Sequence, residues 1–223
     1  MAELQMKLDL LEPFERLPYF TIEGFKQSID VGEDENQRVR EMLSRWAKRG
    51  HILRLKRGVY MTRRFYELHR READFSQAVS AVILPHSYIS LEYLLQRAGV
   101  LTEVTYPVSA VTAKNTRTIE NAIGTFDYRH VHSDLYTGFT QQAYYGVIYS
   151  QASVAKALFD YFYLRPLRRE FRTRRINLVE DLRLNLGECS LETQEEFAGY
   201  VTLSNSTKMD FILENLRRTI WQP

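Results

Sequence analysis

Asp34-Glu-Asn-Gln-Arg-Val-Arg-Glu-Met-Leu-Ser-Arg-Trp-Ala-Lys-Arg49, then Gly50, then His51-Ile-Leu-Arg-Leu-Lys-Arg-Gly-Val-Tyr-Met61, is the stretch that decides the fold. Its first part places Val39, Met42, Leu43, Trp46 and Ala47 at i, i+3, i+4, i+7 and i+8, the stripe of a helix packed on one side. Gln37, Glu41, Ser44, Arg45 and Lys48 then face outward, with Arg38 and Arg40 on the flanks. Asp34 with Gln37 three residues later has the form of a capping box, and Gly50 stops the helix as a left-handed residue would. Ile52–Leu55 and Val59–Met61 are strand-prone, and Lys56-Arg57-Gly58 between them supplies a turn.

Working backward from this stretch, Thr21 caps a helix whose inner face carries Ile22, Phe25 and Ile29. Before it, Leu8, Leu10, Leu11, Phe14 and Leu17 repeat at helical spacing up to Pro18. Three helices followed by a basic hairpin predict a winged helix-turn-helix over residues 1–65. Charge agrees: twelve Lys/Arg lie between Arg38 and Arg71 against Glu41 and Glu67, a net +10 that leaves −8 for the rest of a chain totalling +2. A basic helix beside a basic ribbon fits the grooves and phosphates of double-stranded DNA. The expected contacts are Gln37, Arg38, Glu41, Ser44, Arg45 and Lys48 from the helix, with Arg54, Lys56 and Arg57 from the hairpin. Arg38 or Arg45 is suited to guanine. Glu33, Asp34 and Glu35 oppose this, since they put negative charge where such a helix meets phosphate. They favour the plainer reading of a solvated face or a protein-docking module.

Working forward, residues 66–85 read as a helical connector with Phe75, Ala78, Val79 and Val82 on one face. Residues 86–165 read as a mixed α/β domain: a helix within Tyr88–Leu101 capped by Ser90, strands at 107–112, 124–131 and 144–149, and a helix from Ser153 to Leu164. Residues 166–223 read as three helices, Ile176–Leu186, Leu191–Leu203 and Thr207–Ile220, the last burying Met209, Ile212, Leu213, Leu216 and Ile220. The class is therefore α+β, with an N-terminal winged helix-turn-helix and a helical C-terminus. Between Arg165 and Arg175 lies a second basic cluster of six Arg against Glu170, which suits an extended DNA footprint, an acidic protein partner or an RNA, or equally neutralisation of the chain's own acidic surface.

Four passages resemble the AbiEi-type antitoxins of abortive-infection systems and their transcriptional-regulator relatives. They are Leu53-Arg-Leu-Lys-Arg-Gly-Val-Tyr60, Tyr88-Ile-Ser-Leu-Glu92 running to Gly99-Val-Leu101, Gly124-Thr-Phe-Asp-Tyr-Arg-His-Val131, and Ala152-Ser-Val-Ala-Lys-Ala-Leu-Phe-Asp160. They span about 50 to 165 in the family's order. Where the family has Pro-Glu-Lys-Ala-Leu this chain has Val154-Ala-Lys-Ala-Leu158, so Lys156, Ala157, Leu158 and Asp160 carry over. The resemblance implies an autorepressor that binds its own operator, with inverted repeats, and an antitoxin opposing a separate nucleotidyltransferase toxin without a stable complex. Partner-contact candidates are Lys156, Asp160, Arg168, Arg169, Arg172, Arg174 and Arg175. Lys156 precedes Asp160 by one turn, the weaker order for a local ion pair, which leaves a tertiary or partner contact open beside a solvated helix face. An orphan regulator whose central domain senses a ligand or partner is the alternative.

Other classes fit poorly. His130, His132 and Asp134 alternate as metal ligands on a strand would, but no second ligand set accompanies them. Phosphate-binding glycine loops are absent, and no glycine precedes a serine as a nucleotidyltransferase site requires. No enzyme activity, metal or cofactor is expected. A single cysteine, no apolar run near membrane-spanning length and a charged N-terminus predict a cytoplasmic protein.

Overall fold

The computed structural model describes residues 9–30, 35–102, 107–166 and 177–221. The fold is mixed α+β with a helical C-terminus. By contacts the chain divides into two compact units. The first comprises residues 1–85 with 120–124 and 143–148; the second comprises 86–119, 125–142 and 149–223. The segment 66–85 thus belongs with the N-terminal unit, and the C-terminal helices belong with the central region.

Among the described residues the first unit opens on a 3-10 helix, Asp9–Phe14, which stops short of the Leu17 expected; Pro13 inside it lacks a backbone donor. Strand β1 (Phe20–Thr21) leads into α1 (Ile22–Ser28), where the Thr21 hydroxyl accepts from Gly24 N at 3.0 Å. Helix α2 (Asn36–Lys48) buries Val39, Leu43 and Trp46, as its spacing predicts. Its cap differs from expectation. Glu35 is the N-cap residue and makes no side-chain capping bond, Gln37 turns instead to Glu41, and Asp34 lies outside the described residues. Gly50, at φ +78°, closes the helix, with His51 N donating to Trp46 O.

Strands β2 (Ile52–Lys56) and β3 (Val59–Thr62) pair antiparallel, and β1 pairs with β3, giving the order β1-β3-β2. One face of this sheet joins the helices in a core of Leu11, Phe14, Phe20, Phe25, Val39, Leu43, Trp46, Ile52 and Tyr60. Every residue of β3 is buried, so this strand is covered on both faces, whereas β2 leaves Arg54 exposed. Helix α3 (Arg63–His69) packs on β3 and α4 (Phe75–Ile83) packs on β2.

A six-stranded sheet, most of whose residues belong to the second unit, has the order β6-β7-β5-β4-β9-β8: β4 (Ser87–Ile89), β5 (Val108–Thr112), β6 (Arg117–Glu120), β7 (Thr125–His130), β8 (Phe139–Tyr144) and β9 (Val147–Ala152). β4 runs antiparallel to β5 and parallel to β9; β5 runs parallel to β7. The strand expected at 144–149 is instead a hairpin corner. Tyr145 at φ +45° and Gly146 at φ +79° form the two-residue turn between β8 and β9, with both central residues left-handed as a tight hairpin needs. β4, short and entered from His86 at φ +61°, ends just before Ser90, from which the expected helix follows; β4 and β6 escape a periodicity reading because each holds too few residues to show alternation.

Helices α5 (Leu91–Arg97), α6 (Val154–Leu164), α8 (Leu191–Ser204) and α9 (Thr207–Thr219) build the helical layer, with α6 contacting α5, α8 and α9. Between them α7 (Leu178–Asp181) is a single turn, not the helix expected to reach Leu186. In α9, Met209, Ile212 and Leu216 are buried as expected and Leu213 is half-buried, whereas Ile220, just past its end, is 37% exposed and Trp221 takes the inner place.

Candidate nucleic-acid interface and a buried charged pair

The outward face of α2 is fully solvated: Gln37, Arg38, Arg40, Glu41, Ser44, Arg45, Lys48 and Arg49 are all exposed. They are not equivalent. Arg38 donates to Glu35 at 2.9 Å, an exposed pair one turn apart, so its fork is already occupied at the acidic end of the helix. Gln37 Nε2 donates to Glu41 Oε1 at 2.9 Å and holds that carboxylate in place. Arg40, Arg45, Lys48 and Arg49 form no ion pair among the described residues.

On the hairpin, Arg54 and Arg57 are exposed. Lys56 is half-buried, and its ammonium donates to the Ile83 carbonyl at 3.2 Å. Of the three cations expected to hold phosphates, Lys56 is thus engaged inside its own unit. The tip is also tied down: Ile22 N donates to Gly58 O at 3.0 Å, and Asn121 Nδ2 donates to Leu55 O at 3.0 Å. Gly58 takes φ +76°, so the connection is a tight turn and not a long projecting loop. Other cations of the basic segment serve local structure. Arg63 donates to Gly50 O, Arg64 pairs with Glu15 at 2.9 Å, and Arg70 pairs with Glu67 at 3.2 Å. The surplus positive charge that remains is carried by Arg40, Arg45, Lys48, Arg49, Arg54 and Arg57, with Arg71 beyond them.

The same unit holds an open cleft of about 800 Å³, lined by Glu12, Glu15, Arg16, Arg64, Leu68, His69 and Tyr145. Beside it Glu72 receives the Tyr144 hydroxyl at 2.7 Å and lies 2.7 Å from His69 Nδ1. Both bonds favour the carboxylate and hold its pKa below the usual range, the Tyr144 bond most strongly.

Lys156 and Asp160, expected on a solvated face or at a partner contact, are both fully buried. Lys156 Nζ lies 2.5 Å from Asp160 Oδ1. Asp160 Oδ2 accepts from Tyr88 OH at 3.0 Å and Ser90 Oγ at 2.8 Å. The ammonium sits among three rings, 4.9 Å from the centroid of Phe159, 5.4 Å from Tyr200 and 5.6 Å from Tyr88. Burial pushes the lysine pKa down and the aspartate pKa up, and each partner pulls the other back toward its charged form. No partner reaches these two side chains while the unit stays folded. Their role is to fasten α6 to the junction of β4 and α5. There Ser90 occupies the N-cap position, yet it gives its hydroxyl to Asp160 and makes no side-chain cap. The sequence carried a signal for this burial: α6 is apolar on every side except at Lys156 and Asp160, the pattern of an interior helix.

The histidine cluster disperses. His130 Nδ1 contacts the Lys114 carbonyl, and His132 Nδ1 lies 3.2 Å from Asp134, both of them exposed. No metal-competent group of three His, Cys, Asp or Glu occurs among the described residues. Arg168, Arg169, Arg172, Arg174 and Arg175 lie outside the described residues. Among the described residues no helix is long and apolar enough to cross a membrane. No protein-family model matches the sequence, and no curated protein matches it either.

Proposed function

We propose that the N-terminal unit is a winged helix-turn-helix that binds double-stranded DNA, and that the chain is an autorepressor acting as the antitoxin of an abortive-infection pair, opposing a nucleotidyltransferase toxin. The observation that carries the DNA reading is an order of elements with charge on the right face. Three helices and a strand order β1-β3-β2 frame α2, whose solvated face presents Arg40, Arg45, Lys48 and Arg49, with Arg54 and Arg57 exposed on the hairpin. An amphipathic helix of this kind, anchored by Val39, Leu43 and Trp46, has the diameter to enter a major groove. The antitoxin part rests on the four sequence passages that resemble the AbiEi type.

The test is an anisotropy titration against the chain's own upstream region and against unrelated DNA, with an Arg45/Arg54/Arg57→Ala variant alongside. Preference for the upstream region that the variant loses supports the reading. Equal weak binding to both DNAs would reduce the unit to a protein-docking module. Rescue of growth on co-expression with a nucleotidyltransferase, if one is encoded beside it, tests the antitoxin part.

A second reading is a regulator without a toxin; the cleft beside His69 and Tyr145 would then place ligand sensing in the N-terminal unit and not in the central region. An adjacent nucleotidyltransferase reading frame would speak against it.

A further inference from the structure

The six-stranded sheet has two edges of opposite chemistry. At one edge β6 carries Arg117 and Glu120, and Thr118 donates to Asp127 Oδ1 at 2.9 Å. Charge along an edge discourages a further strand from adding. At the other edge β8, Phe139-Thr-Gln-Gln-Ala-Tyr144, carries none, and residues 135–155 contain neither a charged residue nor a proline. Thr140, Gln141, Gln142 and Ala143 are exposed one after another, so side chains of both faces of the strand meet solvent. Among the described residues β9 is the only strand bonded to β8.

We propose that β8 is a strand-pairing edge on which a second copy of this chain docks, antiparallel about a two-fold axis centred on Thr140-Gln141-Gln142. A two-fold contact sets each residue against one from the same strand, so it must be self-complementary. A charge set on such an axis, or facing its like across it, opposes the pairing. β8 passes it: about this axis Gln141 faces Gln141 of the second copy and Thr140 faces its Gln142, and these amide and hydroxyl groups each donate and accept. Six residues at about 3.4 Å each give roughly 20 Å of edge. That is short beside the ~800 Å² per partner of a standard interface, so the dimer is weak, with a Kd in about the micromolar range.

The experiment is sedimentation equilibrium of the full chain from about 1 to about 100 µM, a range that brackets such a Kd. The variants are Gln141→Lys/Gln142→Lys and Gln141→Glu/Gln142→Glu, with circular dichroism and thermal melts to establish folding. Wild type is expected to pass from monomer to dimer across the range. Each charged variant is expected to weaken self-association at least tenfold, and an equimolar mixture of the two to recover it, which an unfolded variant would not do. A wild-type chain that stays monomeric throughout overturns the proposal and leaves the edge to some other partner. Dimerisation unchanged in the charged variants overturns it equally, because the interface then lies elsewhere.

Discussion

Lys156 Nζ lies 2.5 Å from Asp160 Oδ1, one helical turn along α6, with neither side chain in contact with water. Truncating one member of a buried ion pair leaves the other charge uncompensated, which costs about 3–5 kcal/mol. Asp160→Asn should therefore lower stability by about that much in urea unfolding. Adding Lys156→Met to it should cost less than the sum of the two single changes, since the double variant leaves no orphan charge. Additive losses would mean that the pair contributes only packing.

Gly138 is the second place where this centre is tight. It holds φ +78°, and a Cβ there would overlap the Tyr200 hydroxyl and come within 2.9 Å of Lys156 Cγ. Overpacking and left-handed strain act in the same direction, so Gly138→Ala should cost about 2–5 kcal/mol. A thermal melt unchanged from wild type would show that Tyr200 swings away freely.

Cations of the basic segment should separate by assay. If about five phosphates are neutralised, log K falls against log[salt] with a slope of roughly −4 to −5. Arg45→Ala, Arg54→Ala and Arg57→Ala should each flatten that slope, by up to about one unit for a full phosphate contact, and leave stability nearly untouched. Lys56→Ala should do the reverse, because its ammonium is spent on the Ile83 carbonyl: lower stability by about 1 kcal/mol and an almost unchanged slope. The measurement is a salt series of anisotropy titrations beside urea melts.

Glu72 supplies a pH signature. Its folded-state pKa lies below the ordinary 4.5, chiefly through the Tyr144 hydroxyl and then through His69. A carboxyl with a depressed folded pKa gives stability that is complete above its unfolded pKa and is lost as pH falls through the folded value. The gap in melting temperature between wild type and Glu72→Gln should hold steady near neutrality and narrow below about pH 4.5. A gap that widened there would reverse the sign and remove the hydrogen-bonded carboxylate from the account.

How much could be read beforehand depended on how local the deciding interaction was. The stripe Val39-Leu43-Trp46, the Thr21 cap and the stop at Gly50 were legible because each is settled within one or two turns of chain. The hairpin from Ile52 to Thr62 was legible for the same reason, since Gly58 permits the turn that neighbouring strands need. Elements held by distant partners were less legible. β4 exists through pairing with β5 and β9, and the corner at Tyr145-Gly146 falls where the residues by themselves favour a continuous strand.

The candidate interface divides along the same line. Sequence periodicity alone put Gln37, Glu41, Ser44, Arg45 and Lys48 on the solvated face of α2, since a helix with one apolar stripe has only one way to bury it. Only tertiary structure decided which cations remain available, because Lys56 finds Ile83, 27 residues away, and Arg64 finds Glu15, 49 residues away. It also decided that Lys156 and Asp160 are internal. Charge by itself argues for water, and that preference yields only where Tyr88, Ser90, Phe159 and Tyr200 are brought around the pair to replace what water would have supplied.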